Sequence, residues 1–261
     1  MLEYITVFGR TIPMYGLMAV TGFLIGLIVA YLRCKSFGID KAHCAYIMAM
    51  GGIGAVIGAK VLYIITILPD FISDFHYLFT DTSLFISTYI SGGMVFYGGF
   101  IGAVVAAAIY AKVMDISLYD YFPVIIPSFA LIHAFGRVGC FFAGCCYGIE
   151  VDKSIGVMLN NSSVAPHGVY LLPVQLIEAF FEIVIFAILV ILSKRVTRKG
   201  NLLAYYCLMY APLRFILEFF RGDVIRGFWG GLSTSQWISI AVLIAAIVYL
   251  AFGKFRKVKE A

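Results

Sequence analysis

HAFGRVGCFFAGCCYG, His133 to Gly148, begins in the last turn of an apolar run over 119–136, and the rest of the chain is read outward from it. Its sixteen residues hold one arginine, one histidine, three cysteines and four glycines. Ordinary helix packing in a membrane does not need that mixture. An arginine at the end of an apolar run is costly in lipid unless it meets an anion, a partner or water. Gly136, Gly139, Gly144 and Gly148 let the backbone turn tightly and let a ligand come close. The stretch therefore reads as a site at the end of a membrane span.

The totals support a membrane setting. Of 261 residues, 62% are hydrophobic and 13% charged, and the mean hydropathy is +1.00. A soluble domain carries roughly 25% charged residues. Seven spans are predicted, at 13–33, 44–68, 92–112, 119–136, 174–193, 202–220 and 234–252. The expected fold is an all-α integral membrane protein, a single domain over 1–261, with small periplasmic loops. The loop region 137–173 is expected to carry the signature and to cap the site. No cleavable signal peptide is evident. The net charge of +5 does not point to nucleic acid, because the basic residues sit in short loops.

Lysine and arginine set the orientation. Arg33, Lys35, Lys41, Lys112, Lys194, Arg195, Arg198 and Lys199 fall on one side, joined by Lys254, Arg256, Lys257 and Lys259 of the tail. The other side holds Arg10, Arg137, Lys153, Arg221 and Arg226. The richer side is expected to be cytoplasmic, with the N-terminus outside and the C-terminus inside. Arg137, Arg221 and Arg226 then gather at the outer ends of spans four and six. Arginine meets phosphate oxygens in a bidentate way that lysine cannot, which points to an anionic ligand. Snorkelling to lipid head groups is the other reading of any single one.

Two helices carry polar stripes. Gln175, Glu178 and Glu182 lie at i, i+3, i+7, and Arg214, Glu218 and Arg221 at i, i+4, i+7. Inside a membrane such stripes face a cavity or each other. Gly54/Gly58 and Gly98/Gly102 are GxxxG pairs that allow close helix packing.

Seven segments, in order, carry a resemblance to a known family. They are PMYGLM (Pro13 to Met18), GAKVLY (Gly58 to Tyr63), SGGMVFYGGFIG (Ser91 to Gly102), GRVGCFFAGCCYG (Gly136 to Gly148), PVQLIE (Pro173 to Glu178), RFILEFFRGD (Arg214 to Asp223) and LSTSQWIS (Leu232 to Ser239). Together they resemble the bacterial prolipoprotein diacylglyceryl transferases. The resemblance implies a multi-pass protein of the bacterial cytoplasmic (inner) membrane. It would move the diacylglyceryl group of phosphatidylglycerol onto the lipobox cysteine of a prolipoprotein signal peptide, forming a thioether and releasing glycerol phosphate. Both substrates arrive within the bilayer, so no cofactor is required. By the same resemblance Arg137 contacts the phosphate, Arg214 and Glu218 hold the head group or shape the acceptor's route, and Tyr15 matches a functional first-helix tyrosine. Gly98, Gly99, Gly139, Cys140, Gly148, Gln175, Glu178 and Arg221 are candidate substrate contacts.

The departures from the family pattern lie at the chemistry. Tyr97 stands where the family has a histidine, Cys140 and Ala143 where it has asparagines, and Cys145 where it has a glutamate. The acceptor thiol must become a thiolate, which needs a base or a positive field. His133, four residues before Arg137, is a candidate substitute; a core histidine is the other reading. Three readings of the cysteines stay open: small apolar replacements, thiol chemistry, or, with His133, metal ligands. Their spacings do not match common zinc patterns, and no metal is expected. The alternatives to the family reaction are a divergent paralogue using the cysteine cluster on another phospholipid-derived group, or a non-catalytic lipid-binding protein.

Overall fold

The structure is a computed structural model and describes residues 3–7, 9–90, 92–223 and 227–259. Ser91 and Arg226, both singled out above, lie outside the described residues. The elements run β1 (Tyr4–Val7), β2 (Arg10–Pro13), α1 (Met14–Phe37), α2 (Lys41–Thr66), α3 (Leu68–Ser73), α4 (Tyr77–Thr80), α5 (Thr82–Phe85), a π-helical turn (Ile86–Ile90), α6 (Phe96–Val113) and α7 (Leu118–Ala143). They continue with β3 (Val157–Met158), β4 (Tyr170–Leu171), α8 (Val174–Ser193), α9 (Asn201–Glu218), β5 (Phe228–Trp229), β6 (Leu232–Ser233) and α10 (Thr234–Lys259). The strands form three small antiparallel hairpins, β1–β2, β3–β4 and β5–β6.

Among the described residues six helices are long and apolar enough to cross a membrane: α1, α2, α6, α7, α8 and α10. The sequence reading expects seven. The seventh segment is α9, which at 18 residues matches α6 in length. It is less apolar because Arg214 and Glu218 lie within it. A second difference concerns α7. The span expected over 119–136 runs on to Ala143, so Arg137 and Cys140 are helical rather than in a loop. The helix absorbs Pro123 and Pro127, both fully buried; in a bundle, neighbouring helices satisfy the backbone groups that proline frees. Gly139, inside the helix, lets α1 pass close: a Cβ there would lie 3.2 Å from the Tyr15 ring.

The chain divides into two compact units, Met1–Phe37 with Phe122–Ala261, and Gly38–Tyr121. In the second unit α2 and α6 pack through their glycines. A Cβ on Gly54 would run into the Gly102 carbonyl and Ala106, and one on Gly58 into the Gly98 carbonyl. Gly98 and Gly99 face this contact, Gly99 against Ala55. Lys60 reaches from α2 to donate to the carbonyls of Gly92 (2.8 Å) and Gly93 (3.0 Å), so the lysine of GAKVLY holds the loop of SGGMVFYGG. Tyr97 is exposed on the first turn of α6. The segment after α2 is folded by aromatic contacts: Tyr89 packs edge-on against Phe71 (5.2 Å) and donates to Asp74 (2.8 Å).

The first unit is a helix bundle that inverts the soluble pattern. On α8 the buried residues include Gln175, Glu178, Glu182, Ile185 and Leu189, while Phe180, Ile183 and Ile191 are exposed. Apolar side chains on the outside of a polar-centred helix suit lipid, not water. Below the polar groups Ile126, Ala130, Ile185, Leu189, Leu202 and Tyr206 form a core shared by α7, α8 and α9. At the start of α10, Ser233 accepts from the Gln236 amide (3.2 Å), and Gln236 accepts from the Ser233 amide (2.9 Å). The reciprocal pair is a capping box, and it explains the serine and glutamine of LSTSQWIS.

Candidate functional site

Three helices, with α8 antiparallel to both α7 and α9, put their polar side chains in one shared register. On α7, His133 and Arg137 are one turn apart. On α8, Glu182 and Glu178 step back by four, and on α9 Tyr206 and Tyr210 step forward by four. His133 Nδ1 lies 2.6 Å from Glu182 Oε1, and Tyr206 donates to the same oxygen at 3.0 Å. One turn nearer the loop, Arg137 Nε lies 3.1 Å from Glu178 Oε1, and Tyr210 donates to that oxygen at 2.8 Å. Tyr206 and Tyr210 stack at 5.6 Å, and the His133 ring meets Tyr210 edge-on at 5.0 Å. Both carboxylates are almost completely buried. A buried charge is tolerable only when paired, and each glutamate here has a basic partner and a tyrosine hydroxyl.

Arg214 continues the tyrosine line of α9. It pairs with Glu218 at 2.7 Å and donates to Ser235 of α10 at 3.2 Å. In this cluster Arg137 Nε and Arg214 Nη1 are buried with no hydrogen-bond acceptor in line, as is Arg33 Nη1 on α1. The Arg137–Glu178 contact is thus a close ion pair whose Nε–H points elsewhere. Two buried guanidinia with donors to spare are what an incoming anion requires.

The loop that follows α7 carries the thiols. Gly144 (φ +65°) and Cys146 (φ +61°) turn the backbone back on the helix end. The Cys145 amide donates to the Cys140 carbonyl (3.2 Å), and buried Gln175 donates to the Cys145 carbonyl (2.8 Å). The Sγ atoms of Cys140, Cys145 and Cys146 lie within 4.8 Å of one another, and all three are free thiols. Hydrogen bonds from Cys140 and Cys145, with the charges of Arg221 and Arg137, hold Cys146 well below the usual thiol range. The hydrogen bonds to Cys140 and Cys146 push Cys145 above it.

Gly148 joins this loop to the segment after α9. Its amide donates to the Leu172 carbonyl (3.0 Å), Ile149 donates to Phe220 (2.9 Å) and Gly222 to Tyr147 (3.0 Å). A Cβ on Gly148 would come within 2.5 Å of the Leu172 oxygen, so the close approach requires glycine. Arg221 is therefore not on the α9 stripe. It lies past the helix end, bridged to Gly148 and doubly bonded to Asp223 at 3.0 and 2.8 Å. The loop 149–173 packs back on α7: Leu159, Ala165 and Leu171 cluster against Phe141 and Tyr147.

Arg137, His133, Glu178, Gln175, Cys140, Gly139, Gly148, Arg214, Glu218, Arg221 and Tyr15 thus all belong to the first unit. Tyr97, Gly98 and Gly99 belong to the second. Tyr206, Tyr210 and Ser235 were not among the expected site residues. The i, i+4, i+8, i+12 line Tyr206–Tyr210–Arg214–Glu218 was the signal that could have found the tyrosines.

Fold and site define a multi-span helical membrane protein with a buried basic and carboxylate cluster beside three thiols. A description of the prolipoprotein diacylglyceryl transferase family matches residues 3–252. The chain is similar to the phosphatidylglycerol–prolipoprotein diacylglyceryl transferase of Clostridium tetani, 35% identical over 250 residues and 96% of each chain. It is 33% identical over 256 residues to phosphatidylglycerol–prolipoprotein diacylglyceryl transferase 2 of Clostridium perfringens, covering 97% of this chain and 96% of the relative. The enzyme of the same name from Campylobacter lari is 30% identical over 259 residues, 94% of this chain and 90% of the relative. The chain belongs to the prolipoprotein diacylglyceryl transferase family and is a transferase of lipoprotein biosynthesis.

Proposed function

We propose that the protein transfers the diacylglyceryl group of phosphatidylglycerol to the lipobox cysteine thiol of prolipoproteins, forming a thioether and releasing glycerol phosphate. The observation that carries this reading is the pair of buried guanidinia, Arg137 and Arg214, each with a donor to spare. Phosphate charge grows as the C–O bond breaks, and preorganised donors in a dry site stabilise that growth. Arg137 takes the phosphate, with Glu178 and Tyr210 holding its side chain in place. Arg214, oriented by Glu218 and Ser235, takes the rest of the head group. Gln175 fixes the loop through the Cys145 carbonyl, Gly139 admits Tyr15 beside the site, and Arg221 supports the loop through Gly148.

The same reading places the protein in a bacterial cytoplasmic membrane. Segment α9 makes a seventh crossing, the N-terminus is outside, the C-terminus is in the cytoplasm, and the 144–173 loop is on the outer face. The excess of lysine and arginine in the opposite loops supports this orientation. The test is reconstitution with labelled phosphatidylglycerol and a lipobox peptide, with Arg137→Ala beside the unaltered protein. Thioether product from the unaltered protein alone is expected. Equal product from Arg137→Ala refutes the phosphate role, and no product from either, with both folded, refutes the reaction.

A further inference from the structure

We propose that Cys140, Cys145 and Cys146 form a three-thiolate site for a thiophilic divalent cation of the zinc type, with its fourth position open to the acceptor thiol. The inference rests on the transfer reaction proposed above and supplies what that reaction needs, an ionised acceptor sulfur.

Geometry carries the assignment. A tetrahedral zinc–thiolate site has Zn–S bonds of about 2.3 Å, which sets the sulfurs about 3.8 Å apart. The three Sγ atoms already lie within 4.8 Å of one another, so side-chain rotation of about 1 Å closes the set. Their spacing in sequence hides this, because Cys140 sits on the last helical turn and the chain then reverses. The reversal uses a left-handed conformation at Cys146, φ +61°, which a non-glycine side chain adopts only at a steric cost. Such strain persists where the surrounding structure enforces it. Here the Cys145 amide is tied to the helix end and its carbonyl to fully buried Gln175. The result brings the three sulfurs within 4.8 Å of one another.

Electrostatics fit an anionic centre. Three thiolates and a divalent cation leave one negative charge, and the acceptor thiolate makes two. The Arg221 guanidinium hydrogen-bonds Cys146, and the Arg137 charge reaches it. Hydrogen bonds to ligating sulfurs are the contacts that tune such sites. Three protein ligands with one open position is the pattern of a catalytic site, while a closed set of four is structural.

The chemistry balances. The acceptor thiol coordinates the cation and gives up its proton. Its sulfur attacks the glycerol carbon, the C–S bond forms, and the C–O bond to phosphate breaks with its electron pair leaving on oxygen. The departing glycerol phosphate carries the proton away, and the neutral thioether, a poor ligand, dissociates. The competing use of these thiols, as a covalent carrier of the lipid group, fails chemically. A lipid thioether on the protein offers no leaving group better than the phosphate it replaced.

The experiment uses the full chain in detergent, reduced, stripped with a chelator and titrated with Co²⁺ as the probe. A thiolate-to-cobalt charge-transfer band saturating at one ion per chain, and displaced by Zn²⁺, is expected. Cys140→Ser and Cys146→Ser should each lose more than the roughly 10–100-fold in affinity that outer contacts are worth, while Cys207→Ala leaves the band intact. Lipobox peptide should shift the ligand-field bands. No band while the three thiols stay reactive, or a band unchanged in the serine variants, overturns the site. A band that ignores the peptide overturns the open position. In the transfer assay, equal product from stripped and Zn²⁺-loaded protein overturns the catalytic role and leaves the proposed reaction standing. A cobalt band with no product under any loading does the reverse.

Discussion

Glu178→Leu should destabilise the bundle by stranding Arg137, and a second change, Arg137→Leu, should restore much of the loss. Glu178 is 1% exposed, and its Oε1 serves both Arg137 (3.1 Å) and Tyr210 (2.8 Å). Breaking a buried ion pair from one side costs about 3–5 kcal/mol, because the other charge is left uncompensated. The Arg137 side chain keeps 14% exposure, so the lower end, about 3 kcal/mol, applies. Replacing both partners by apolar groups is often close to neutral. Interhelical hydrogen bonds in membranes couple by only about 0.6 kcal/mol on average and about 1.7 at most. A double-mutant cycle in reversible detergent unfolding therefore separates the two explanations. The expected coupling is about 2 kcal/mol or more, beyond what hydrogen bonding alone supplies. A coupling below about 1 kcal/mol would refute the idea that charge pairing holds this register.

Ser233→Ala removes one half of the capping box at α10 and should cost about 0.5–2 kcal/mol, read in the same unfolding assay, with Ser233→Thr retaining most of the stability. Gly54→Val drives a side chain into the Gly102 carbonyl. It should destabilise the α2–α6 pair by about 1–3 kcal/mol, and an unchanged melting midpoint would show that those helices do not meet through glycine. Burial, and then the hydrogen bond to Asp74, push Tyr89 up to about 12. Its folded value is raised, so its contribution is complete below the ordinary tyrosine value of about 10 and is lost as pH rises through 12. Hydrogen exchange over 67–90 should accelerate in that window, and the same acceleration in Tyr89→Phe would rule the hydroxyl out.

The spans of α8 and α10 were legible because long apolar runs have few other uses in a chain. The end of α7 was not. Arg137, Gly139 and Cys140 read as loop residues, yet all three are helical, and Gly139 is glycine because α1 packs where its side chain would be. The stripes on α8 and α9 were visible one helix at a time. Which stripe meets which depends on antiparallel register, and that is a tertiary fact: Glu178 met Arg137, while Arg214 met Glu218 on its own helix. Tyr206 and Tyr210 escaped because tyrosine in a span has many bland roles. Arg221 follows the helical spacing of Arg214 and Glu218 but lies beyond the helix, drawn into the bridge with Gly148. The three cysteines were visible as a group, but the convergence of their sulfurs was not, since a positive φ at Cys146 does in space what no sequence interval records.

The shared register of α7, α8 and α9 also limits how the protein can change over generations. Inserting one residue within α8, between Glu178 and Glu182, turns everything beyond it by about 100°. Glu178 and Glu182 could then no longer both meet their basic partners and tyrosines. A substitution on one helix can be offset by a matching one on its partner, because each glutamate has its own partners, but a length change displaces both pairs at once. Insertions and deletions among relatives should therefore fall in the 149–173 loop and the short connections, leaving the helix lengths between His133 and Glu218 unaltered.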